Sequence, residues 1–86
     1  MSNEETVRKG KKAEELIQNE AFSSALNKME SDAVWFWKDT KPEDTVKREH
    51  AWHMLQAIDR FRDELRKLMD NGKVAQRQLE RANKSQ

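Results

Sequence analysis

VKREHAWHMLQAIDRFRDELRKLM, residues 46–69, decides the fold. Ala51, Leu55, Ile58, Phe61, Leu65 and Leu68 recur there at steps of three and four. That spacing draws one apolar stripe along an α-helix, close to the seam of helices packed side by side. Arg60, Arg62, Asp63, Glu64, Arg66 and Lys67 fall between the stripe positions and form a solvated face. A helix with a single apolar side needs a partner along most of its length.

The partner is expected upstream. KAEELIQ, from Lys12 to Gln18, reads as helical with Ala13, Leu16 and Ile17 on one side. From Glu20 a second stripe runs through Phe22, Leu26, Met29, Ala33 and Phe36, to a helix end near Lys38. Asn19 either closes one helix and caps the next or is crossed by one long helix, and a bend is the expectation. DTKPED, residues 39–44, reads as the turn. Thr40 followed by Glu43 fits a capping box, with Pro42 in the first turn, where a missing N–H costs nothing. Asn71-Gly72 reads as a helix terminator, since glycine accepts the left-handed conformation that stops a helix.

These readings predict an all-α fold: an antiparallel helical hairpin over residues 13–71, with an additional N-terminal helix inside that span. A polar lead at 1–12 and a basic C-terminal tail at 72–86, short and helical at most, flank it. The tail is expected to be ordered only against a partner. Eighty-six residues make one small domain, and two glycines and one proline leave room for few turns. Without cysteine there is no disulfide framework and no thiolate metal site. No apolar run approaches the roughly 18–20 residues that span a bilayer, so no membrane is expected as a partner. The opening MSNEETVRKGKK has no apolar stretch after its basic residues and does not read as a secretory signal.

Trp35, Phe36 and Trp37 are consecutive, so about 100° separates each from the next and they cannot share one core. Phe36 continues the stripe. The tryptophans either pack against another element of the chain or anchor a partner, as such side chains do at interface hot spots. In a hairpin Trp52 is expected at the same end, which makes an aromatic cluster near the turn.

The charge distribution supplies the other candidate surface. Net charge is +1 overall, −3 over residues 1–45, +1 over 46–71 and +3 over 72–86. Lys73, Arg77, Arg81 and Lys84, with Lys9, Lys11 and Lys12, are therefore candidates for an anionic partner, nucleic acid included. Against a phosphate track, Asp59, Asp63 and Glu64 interrupt Arg60, Arg62 and Arg66.

Catalytic chemistry finds little support. His50 and His53 lie three apart on one helical face, but the order Glu-His-Ala-Trp-His is not the His-Glu-x-x-His of zinc proteases. There is no Gly-rich phosphate loop, and Ser23 and Ser24 have no evident base. The expectation is a non-enzymatic protein with no catalytic residue, no metal and no cofactor. Its partner-binding residues are expected to be Trp35, Trp37, Trp52, Lys73, Arg77, Arg81 and Lys84.

From Ala21 to Leu79 the order of features resembles a group of small helical proteins of tailed phages and prophages. The matching pieces are AFSSAL, Trp37 before Thr40, Pro42 and Asp44, then Arg48, Glu49 and Trp52, then Gly72, Lys73, Ala75 and Leu79. The resemblance implies a phage context, in the host cytoplasm during assembly or in the virion. There such a chain would oligomerise or dock on a portal, connector or capsid component. A regulatory or inhibitory protein that binds a host protein or nucleic acid through basic ends is the other class it leaves open.

Overall fold

The computed structural model describes residues 2–84, so Met1 of the 1–12 segment and Ser85 and Gln86 of the 72–86 segment lie outside it. Three helices account for nearly all of it: α1 (Asn3–Gln18), α2 (Glu20–Lys38) and α3 (Thr45–Lys84). No strand occurs among the described residues.

Local chemistry explains the boundaries. The Ser2 hydroxyl accepts from the Glu5 amide at 3.2 Å and caps α1, with Glu4 and Glu5 against the positive helix end. Asn19 makes the bend: its backbone is extended, with φ −70° and ψ 119°. Its Oδ1 accepts from the Phe22 amide at 2.9 Å to start α2. The Ser23 hydroxyl donates to the Ile17 carbonyl at 2.7 Å and ties the two helices across the break. One residue out of helical geometry is enough to redirect the chain.

The turn differs from its expected chemistry. Thr40 does not open a capping box: its hydroxyl donates to the Trp37 carbonyl at 2.6 Å, so it finishes α2. Asp44 takes the start of α3 instead, its carbonyl accepting from the Arg48 amide at 3.0 Å and its carboxylate from the Lys41 amide at 3.2 Å. Pro42 sits in the turn, outside the first turn of α3.

A larger correction concerns α3. It runs without interruption through Asn71 and Gly72 for 40 residues, about 60 Å at 1.5 Å per residue. Residues 72–84 are the last third of one helix, and residues 3–12 of the polar lead belong to α1. No glycine has a positive φ, so Gly72 is not used as a terminator. It is buried against Gly10, itself buried, and a Cβ built on Gly10 would lie 2.8 Å from the Gly72 Cα and 2.8 Å from the Leu68 carbonyl oxygen. The two glycines let the backbones of α1 and α3 meet where any side chain would hold them apart.

Gly10 against Gly72, Phe22 against Phe61 and Phe36 against His50 show both short helices running antiparallel along α3. α1 lies on its far half and α2 on its near half. The molecule measures 66 × 23 × 15 Å, one helix thick. Its buried apolar side chains are Ala13, Ala33, Ala51, Ile58, Leu65 and Ala75. On α3 the buried seam is Ala51, Ile58, Leu65 and Gly72, each seven residues from the last. Between two helices only that narrow line is covered, which leaves Phe61 and Leu68 on the rim.

Candidate interaction surface

The turn end carries the tryptophans, each with its own neighbour rather than in one stack. Trp35 is 67% exposed, with the Lys38 ammonium 5.3 Å from its ring centre. Trp37 is 40% exposed and lies under the Arg48 guanidinium at 4.5 Å. Arg48 also donates to the Thr40 hydroxyl at 3.1 Å, which holds the guanidinium over the ring. Trp52 is 56% exposed and meets the His53 ring edge-on at 5.2 Å. Val46 and Phe36 add exposed apolar surface at the same end. The turn end thus offers flat apolar rings beside fixed cations, a combination suited to an apolar partner with acidic groups at its margin.

Lys73, Arg77, Arg81 and Lys84 are all exposed on the final turns of α3. The structure does not bring them to the tryptophans: Trp52 and Arg77 are separated by about 37 Å of helix. It does bring them to α1, because the Gly10–Gly72 contact lays Lys11 along the groove that holds Lys73 and Arg77. Glu14 and Glu80 line the same groove, and Lys9 pairs with Glu5 at 3.4 Å. Acidic side chains are therefore interleaved with the basic ones, which weakens a phosphate track.

A third surface was not visible as a site in the sequence. Between α2 and α3 an open groove is lined by apolar side chains, with Phe22, Met29, Met54 and Phe61 around Ala25 and Ala57. Phe22 and Phe61 pack with ring centres 5.9 Å apart, and Met29 is 51% exposed. The opposite flank of the same helix pair is polar: Arg62 donates to Asn27 Oδ1 at 2.7 Å and pairs with Glu30. The signal lay in the seven-residue spacing of Phe22, Met29 and Phe36, which sequence reading assigns to the seam. The seam of α2 follows Leu26 and Ala33 of that stripe, with Phe22 at its edge, while Met29 and Phe36 fall beside it and are exposed.

Among the described residues no group of three or more His, Cys, Asp or Glu is placed to hold a metal ion, and no helix is long and apolar enough to cross a membrane. No family model matches the chain, and comparison with curated proteins and with solved structures gave no significant match.

Proposed function

We propose that the chain is a non-enzymatic assembly protein that docks through helices onto a larger component. Its α2–α3 hairpin forms the frame, and α1 braces the far half of α3. The observation that carries the reading is the exposure of Trp35, Trp52 and Val46 at the turn end, at 67%, 56% and 80%. Large apolar side chains exposed together at one end, with Lys38 and Arg48 over the rings, have the make-up of an interface hot spot that awaits its pocket. The resemblance to small helical phage proteins makes a virion or virion precursor the component to test.

The test is sedimentation of particles from producing cells. The wild-type chain is expected to travel with particles or their precursors, and a Trp35→Ala/Trp52→Ala variant of unchanged helicity to remain at the top of the gradient. A wild-type chain that also remains at the top refutes the reading.

A regulatory protein that binds an acidic target is the second reading. The gathering of Lys11, Lys73 and Arg77 into one groove speaks for it, and Glu14 and Glu80 in the same groove speak against it. Binding of labelled DNA that weakens steeply with salt and is lost in Lys73→Ala/Arg77→Ala would support that reading, and no shift at low salt would remove its nucleic-acid form.

A further inference from the structure

The flank of α2 and α3 that carries Phe22, Met29, Met54 and Phe61 is covered by nothing in the chain, whereas Arg62 closes the other flank. On α3 the open line continues. Met54, Phe61 and Leu68 are seven residues apart and stand on one face, over a span of about 21 Å. Phe61 is 45% exposed and Leu68 38%.

Two quantities indicate what covers this face. The chain exposes 6925 Å², whereas a compact monomer of 10.2 kDa exposes about 5,300 Å². The excess, about 1,600 Å² per chain, belongs to the whole 66 × 23 × 15 Å rod, and a second copy laid along this flank reduces it by thickening that rod. The buried set, four alanines with Ile58 and Leu65, is also too thin for a layer with no second side.

We infer that a second copy of the chain covers this flank, antiparallel to the first, with a two-fold axis beside Phe61. This rests on the docking reading above and names one partner for a different face. The interface is isologous, so each contact occurs twice. Phe61 lies midway between Met54 and Leu68, so an antiparallel copy centred on it sets Met54 against the partner subunit's Leu68 and Phe61 against its own mate. The two layers make a four-helix bundle with apolar side chains on both inner faces. In the same register the turn, where Asp39, Glu43 and Asp44 stand among Lys38, Lys41, Lys47 and Arg48, reaches the partner's helix end, where Arg77 and Lys84 are exposed. The turn-end tryptophans lie away from the axis, so a dimer can still dock through them.

The natural chain has no cysteine, so engineered single cysteines report position cleanly. Light scattering of the full chain is expected to give twice 10.2 kDa. Ala57→Glu, at an exposed helical position in the groove, is expected to halve that mass with helicity retained. On mild oxidation a mixture of Met54→Cys and Leu68→Cys chains is expected to cross-link on the order of tenfold faster than either variant alone, from the raised effective concentration of facing thiols. Three results overturn the inference: a wild-type mass of one chain at every concentration, a dimer that survives Ala57→Glu, or faster linking of Met54→Cys with itself. A single-chain mass alongside tryptophan-dependent co-sedimentation sinks the dimer and leaves the docking reading standing.

Discussion

Replacing either buried glycine by alanine tests the closest contact in the molecule, because two effects of opposite sign compete. Gly10 and Gly72 both sit in helices with no positive φ, so propensity alone makes each alanine stabilising by about 1 kcal/mol. The contact acts the other way. At Gly10 the new Cβ meets two backbone atoms of α3 at 2.8 Å, and at Gly72 it meets the Gly10 Cα at 2.9 Å and the Thr6 carbonyl oxygen at 3.3 Å. Carbon atoms pack best at about 3.5–4.0 Å, so the helices must part along their whole contact. Overpacking of this kind costs about 1–3 kcal/mol, and Gly10→Ala, with both neighbours in the backbone, belongs at the upper end. Subtracting the propensity gain leaves a net loss of about 2 kcal/mol for Gly10→Ala and about 1 kcal/mol for Gly72→Ala. For a domain of this size those losses lower Tm by about 10 °C and 5 °C. Far-UV circular dichroism melts at one fixed protein concentration measure the difference, since association shifts Tm by mass action. If both variants melt higher than the wild type, the helices do not cross at these glycines.

Further substitutions probe the joints. Asn19→Ala removes the acceptor for the Phe22 amide and is expected to cost about 1 kcal/mol in urea denaturation, with Asn19→Asp retaining most of it. Arg62→Ala and Glu30→Ala break a part-buried pair that links α3 to α2, and a double-mutant cycle is expected to give a coupling of up to about 1 kcal/mol. The same cycle on the exposed pair Lys28 and Asp32 is expected to give about 0.5 kcal/mol or less. Arg48→Ala uncovers Trp37 and is expected to raise acrylamide quenching in a variant that keeps Trp37 as its sole tryptophan. Unchanged quenching would show that the guanidinium does not lie over the ring.

The three helices and the bend at Asn19 were legible because they depend on local rules: stripe spacing, a capping side chain, a short polar turn. The seam was legible only in part. Ala51, Ile58 and Leu65 are buried as the stripe requires, but Phe61, Met29 and Phe36 lie on the rim. Period alone does not say how wide a stripe one neighbour can cover, and alanine and glycine at the closest points hold the larger side chains out. Gly72 was misread because glycine ends helices and also permits close approach, and only Gly10, distant in sequence, decides between them. The step from Ile58 through Leu65 and Gly72 to Leu79, seven residues each time, was the available clue that α3 continues. The tryptophans were placed correctly at one end, while their separate cationic partners depend on rotamers that no spacing encodes.

The break at Asn19 also sets the order of assembly. α2 meets α3 across a six-residue turn, so that pairing closes a small loop at little entropic cost. The Gly10–Gly72 contact closes about 62 residues and gains its contacts only after α3 has become a rod. One spine therefore carries two latches. On loop length alone α2 pairs with α3 first and α1 closes second, and hydrogen exchange along α3 tests whether the two halves are protected separately. A chain caught with α1 undocked bares Gly72 and Ala75 while its turn end is already native. Newly made copies then have a native turn end before the far end has finished folding.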